Sequence, residues 1–145
     1  MGQFADECEI MYLAVKLLHE QYALPRPPVV LFLKMDLPDW RESFDPPDKL
    51  LRLLAGLPIA VRPRSRAEEI FPRVWAGLPP THRDPRTGEV GYRASVGVRK
   101  WYPDGTADVS AAVHFAAALV DRAVRAVAVR IEDSWTLDGV GLMIS

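Results

Sequence analysis

The apolar residues Phe4, Cys8, Met11, Val15, Leu18 and Tyr22 recur at alternating intervals of four and three, which is the period of one face of an α-helix. Ile10, Leu13 and Leu17 widen that face, while Asp6, Glu9, Lys16 and Glu20 keep to a narrow opposing edge. A helix with so broad an apolar surface has to be covered by the rest of the chain, so this spacing predicts a largely buried N-terminal helix. Leu24-Pro25 closes it, because the residue before a proline avoids the α region.

Pro27-Pro28 leads into Val29-Val30-Leu31-Phe32-Leu33, a continuous apolar run that predicts a central strand covered on both faces. Asp36-Leu37-Pro38-Asp39-Trp40 reads as a loop. Asp45-Pro46 reads as a helix start, with a capping carboxylate and a proline in the first turn. Leu50, Leu51, Leu53 and Leu54 supply that helix's apolar face, and Gly56 its stop. Pro58 to Val61 is a further short strand. Ser65-Arg66-Ala67-Glu68 has the capping-box pattern ahead of Ile70, Phe71, Val74 and Trp75, which predicts another helix, disturbed by Pro72. Leu78 to Glu89 lacks periodicity and is expected to be an exposed loop.

Gly91 to Tyr102 alternates as a strand does, and Pro103-Asp104-Gly105-Thr106 is a turn in which proline presets φ and glycine accepts a positive φ. Beyond it two patterns compete. Val109, Ala111, Val113 and Phe115 alternate, whereas the alanine-rich run to Arg125 favours a helix capped by Ser110. The reading adopted is a short return strand followed by a helix over residues 111–125. Val127, Val129 and Ile131 then form a half-buried strand, and Asp138-Gly139 turns the chain into Val140 to Ile144. Two hairpins favour an antiparallel sheet. The expected fold class is α+β: a single domain over residues 1–145, with the buried N-terminal helix and short additional helices packed on a mainly antiparallel sheet with C-terminal hairpins. A length of 145 residues with 49% hydrophobic and 26% charged side chains is enough for one autonomous core.

Several function classes lack the residues they need. Cys8 is the single cysteine, so an intramolecular disulfide and a multi-cysteine zinc site are excluded and a reducing compartment fits best. No apolar run reaches the roughly 18 residues of a membrane span, and Asp6, Glu7 and Glu9 are unlike a signal peptide. The expected location is cytoplasmic, in a cell or an infected host, with no membrane partner. Neither phosphate-loop nor dinucleotide glycine pattern occurs, nor G-x-S-x-G, nor H-E-x-x-H, so no cofactor, no metal and no catalytic residue are assigned. Cys8 and His19 would lie about 16 Å apart on one helix, too far for a nucleophile and its base. His82-Arg83-Asp84 reads better as an exposed loop histidine than as a general base with its orienting carboxylate. His114 sits near a strand-to-helix junction.

The net charge of −1 conceals a basic middle: residues 51–100 hold ten Lys/Arg against four Asp/Glu. Arg62, Arg64, Arg66, Arg83 and Arg86 are candidate phosphate contacts, with Trp101 and Tyr102 able to stack on bases. Nucleic-acid binding through residues 62–100 is therefore one alternative, against which the overall pI of about 6.3 weighs. Asp36 and Asp39, just past the apolar strand, could join Glu132 and Asp133 around a cation, which gives a second alternative, a metal-dependent hydrolase. The leading expectation is a non-catalytic accessory or assembly protein that binds another protein or copies of itself. Trp40, Trp101, Tyr102 and Arg99 form its expected interaction surface, since tryptophan, tyrosine and arginine dominate interface energetics.

Overall fold

The computed structural model describes residues 2–36, 43–70, 80–115 and 120–144. The opening stripe folds as its period predicts. Helix α1 (Gly2–Tyr22) buries Cys8, Ile10, Met11, Ala14, Val15 and Leu18. It ends where Ala23 takes a positive φ of 50° and the Leu24 amide donates to His19 Nδ1 at 3.1 Å.

The apolar run forms β1 (Val30–Asp36), with Val30 through Leu33 all buried. Then follow β2 (Ser43–Phe44), α2 (Asp48–Leu54), β3 (Ala60–Pro63), a 3₁₀ turn (Arg64–Arg66), β4 (Glu68–Glu69) and β5 (His82–Arg83). The chain finishes with β6 (Val90–Trp101), β7 (Ala107–Phe115), β8 (Val120–Ile131) and β9 (Ser134–Ile144). All nine described strands join one sheet, six of them in the order β2-β1-β6-β7-β8-β9, with β3 beside β1 and β4 joined through β5 to β6. β1 runs parallel to β6 on one edge and shares its other edge between parallel β3 and antiparallel β2. From β6 to β9 each strand pairs antiparallel with the next. The result is the α+β fold with a mainly antiparallel sheet that the sequence predicts.

Strand alternation gives this sheet two unlike faces. Leu31 and Leu33 of β1, Tyr92, Ala94, Val96 and Val98 of β6, Val109, Ala111 and Val113 of β7, and Val124, Ala126 and Ala128 of β8 are buried in one core with α1 and α2. The intervening residues point to the opposite face. β6 presses close to β1: a Cβ added at Gly91 would stand 1.7 Å from the Val30 carbonyl oxygen, and one at Gly97 2.6 Å from that of Asp36.

Four expectations are corrected. The described residues of the expected helix 111–125 are not helical; they form β7 and β8, paired from Ala107↔Ala128 to Phe115↔Val120. Alanine favours a helix in isolation, but Ala107, Ala111, Ala126 and Ala128 lie at most 2% exposed beneath α1, where a methyl group suits the contact between helix and sheet. Asp45 and Ser65 were each expected to cap a helix. Instead they bond to one another, the Ser65 amide donating to Asp45 Oδ1 at 3.0 Å and its hydroxyl to Oδ2. α2 begins after Pro47 with no side-chain cap, and the residues after Ser65 run into β4; the remainder of that expected helix, 71–79 with Trp75, lies outside the described residues. His82 is 5% exposed rather than solvated, because the expected loop contributes β5 to the sheet. Finally, the β8–β9 hairpin turns at Glu132-Asp133, with Glu132 at a φ of 58°. Asp138-Gly139 is instead a bulge within β9: Arg125↔Gly141 and Val127↔Asp138 leave Gly139 and Val140 opposite Ala126.

Candidate functional site

The face of the sheet turned away from α1 holds a cleft of about 650 Å³. β1 contributes Lys34 and Asp36, β6 Arg93, Ser95 and Arg99, β7 Ser110, Ala112 and His114, and β8 Ala123 and Arg125. These residues alternate along each strand, so the pleat aims them at one side; Ala111 and Val124, whose side chains belong to the core, also border the cleft floor. Short side chains on β7 and β8 leave the floor low between longer charged ones.

The charged groups hold one another in place. Lys34 Nζ lies 3.4 Å from Asp36 Oδ1. Arg99 Nε donates to Ser110 Oγ at 2.6 Å. Arg125 Nη2 approaches Asp108 Oδ2 at 3.6 Å, and the same oxygen accepts the Tyr102 hydroxyl at 2.5 Å. Burial pushes the Arg99 guanidinium below its ordinary range; Asp36 opposes that shift and Arg125 adds to it. The Tyr102 hydroxyl is raised, chiefly by its bond to Asp108.

A second feature lies at the far edge of the sheet. Among the described residues β9 is hydrogen-bonded only to β8, which leaves eleven residues as an edge strand. Of the large apolar side chains that are exposed, Ile131, Val140 and Leu142 belong to this hairpin, at 58%, 44% and 52%. Asp138 is the single charge in β9, and the strand contains neither lysine nor proline. Natural edges are commonly blunted by such residues.

The residues singled out from the sequence fall into several places. Arg62 makes a two-pronged contact with Glu89, Nε to Oε1 and Nη2 to Oε2, each at 3.1 Å. Arg66 donates to Asp84 Oδ2 at 3.1 Å, and buried Asp84 also accepts the Arg86 amide at 2.8 Å. The Asp84 carboxyl is held low, first by that amide and then by Arg66. Arg62 and Arg66 thus tie the 3₁₀ turn and its flanks to the segment around β5. Arg64 donates to the Ala67 carbonyl at 3.4 Å and is depressed by burial and then by Arg93. The same two arginines face His82, which burial, Arg64 and Arg93 together push down to about 4. Arg83 and Arg86 are exposed.

Trp101 packs half-buried against the core and its indole N–H donates to Glu7 at 3.1 Å. Trp135 does the same to Asp6 at 3.1 Å, and the two rings meet edge to face with centroids 5.8 Å apart. Arg99 lines the cleft, and Tyr102 donates to Asp108, the partner of Arg125. Trp40 and Asp39 lie outside the described residues. Asp36 stands level with Gly97, and through it with Ser110 and Arg125. Glu132 is seven residues beyond Arg125 along β8, about 23 Å at the usual rise per residue, so Asp36 does not meet Glu132 and Asp133. Among the described residues no three His, Cys, Asp or Glu side chains are grouped to hold a metal ion. Cys8 is fully buried and its thiol is raised, mainly by that burial, which is the opposite of nucleophile activation.

Sequence reasoning missed Lys34, Ser110 and Arg125 as a group with Arg93 and Arg99. A signal was present in β6, where Arg93 and Ser95 alternate with Tyr92 and Ala94; reading 111–125 as a helix hid its continuation on the neighbouring strands. Compared with known proteins, the chain matches no family model, no curated protein and no solved structure.

Proposed function

We propose that this chain is a non-catalytic accessory or assembly protein that acts by protein–protein interaction, and that its contact is the pairing of β9 with β9 of a second copy. The observation that carries this reading is the β9 edge, which no other strand covers among the described residues, with Val140 and Leu142 exposed beside it. The backbone N–H and C=O groups of an unpaired edge are a template for another strand. The bulge at Gly139 divides the strand, and the uncharged half Val140-Gly141-Leu142-Met143-Ile144 is the part that self-pairing suits. A twofold axis beside Leu142 sets that residue opposite its own copy in an antiparallel ladder, which is the self-complementary contact most dimers use.

Sedimentation velocity over a range of protein concentrations tests this. The wild type is expected to run as a concentration-dependent dimer, and Leu142→Lys as a monomer that melts near the wild-type temperature. A wild type that stays monomeric at high concentration, or a Leu142→Lys variant that dimerises equally well, overturns it.

A further inference from the structure

The open sheet face collects charge in a way that folding alone does not require. Among the described residues Lys34, Arg93, Arg99 and Arg125 line a single cleft, with Asp36 as the one carboxylate lining it and Asp108 at its rim. Crowding cations opposes folding through their mutual repulsion; the Arg99 guanidinium is depressed chiefly by its partial burial, with Asp36 opposing that shift and Arg125, the weaker influence, adding to it. Among the described residues these two carboxylates face four cations. Among the described residues Arg93, which is exposed, has no carboxylate partner.

We propose that this cleft is a binding site for a small phosphorylated molecule, held by Arg93, Arg99, Arg125 and Lys34, with the Ser95 and Ser110 hydroxyls as neutral partners. Guanidinium groups match the oxygens of a phosphate with two parallel N–H bonds, and lysine adds a point charge. An excess of positive charge on this scale calls for a multiply negative ligand. The volume of about 650 Å³ lies within the range of small-molecule sites. Asp36 and Asp108 interrupt the positive surface, which penalises a long polyanion laid across the sheet more than a compact one seated among the arginines. Lys34 and Arg99 beside Asp36 also make that carboxylate a poor ligand for a divalent cation.

The probe is inorganic pyrophosphate, added to the full chain at constant ionic strength and followed by isothermal titration and thermal shift. Saturable binding is expected, weakened about tenfold or more in Arg93→Gln and again in Arg125→Gln. Both are exposed positions in a crowd of cations, so neither variant should melt below the wild-type temperature without the probe, and Leu142→Lys should bind as the wild type does. The last point separates this site from the β9 contact. No saturable binding, or equal binding by the wild type and both variants, overturns the proposal. So does tighter binding of a single-stranded oligonucleotide with a salt dependence that counts several phosphates, since that would make the face a nucleic-acid track.

Discussion

Gly91 offers the most direct test of how the sheet is assembled. An alanine Cβ there would stand 1.7 Å from the Val30 carbonyl oxygen, 2.6 Å from its carbon and 3.0 Å from its nitrogen. Reaching even 3.0 Å from that oxygen requires β1 and β6 to part by about 1.3 Å, the difference between those two distances. Val30 cannot simply withdraw, because β1 is paired to β3 at Ala60 on its other edge. Parting the strands sacrifices ladder bonds worth about 1 kcal/mol each in addition to the 1–3 kcal/mol typical of overpacking. Gly91→Ala should therefore cost roughly 4 kcal/mol or more, a large share of the 5–15 kcal/mol by which domains are stable. Gly97→Ala meets the Asp36 oxygen at 2.6 Å, just beyond the last β1–β6 pair at Met35↔Val96, and needs a much smaller opening; about 1–2 kcal/mol is expected. Gly141→Ala finds its nearest atom at 3.9 Å and should stay within about 0.5 kcal/mol of the wild type. Urea unfolding followed by tryptophan fluorescence ranks the three. If Gly91→Ala unfolds at the same urea midpoint as Gly141→Ala, the close approach of β1 and β6 is wrong.

Two further outcomes follow from side chains away from the cleft. His82 is pushed from 6.5 down to about 4, so between those values the unfolded chain takes up a proton that the folded chain refuses. Stability should be complete above pH 6.5 and fall as pH drops toward 4, by at most about 3 kcal/mol; denaturation midpoints for the wild type and His82→Gln across this window should show a flatter profile for the variant, and parallel profiles would count against it. Trp135, 6% exposed, meets Trp101 edge to face and donates to Asp6. Trp135→Ala should cost about 3–5 kcal/mol and Trp135→Phe about 1 kcal/mol, as read by thermal unfolding, and a Trp135→Phe variant as stable as the wild type would argue against a contribution from the indole N–H.

Some elements were decided within a few turns of chain. α1 was legible because its apolar residues repeat with the helix period over five turns, and β1 because an uninterrupted apolar run can only be buried on both sides. Pro103 and Gly105 specified their turn through backbone preference, and the Tyr102 amide indeed donates to the Thr106 carbonyl at 2.8 Å across it. Elsewhere the deciding partner was remote in sequence. Between 107 and 128 the alanines carry a helix preference of a few tenths of a kcal/mol each, and burial of the alternating valines beneath α1 outweighs it. Asp45 and Ser65 each had a local use as a cap, yet twenty residues apart they satisfy one another. Arg62 and Arg66, read as phosphate contacts, found Glu89 and Asp84 across the fold. The cleft shows the same division most clearly: the pleat alone settles that Arg93 and Arg99 share a face, but only the pairing of four strands brings Lys34 and Arg125 to join them. Periodicity is a property of one segment, whereas a site is a property of register between segments, and register is set by which side chains can be buried together.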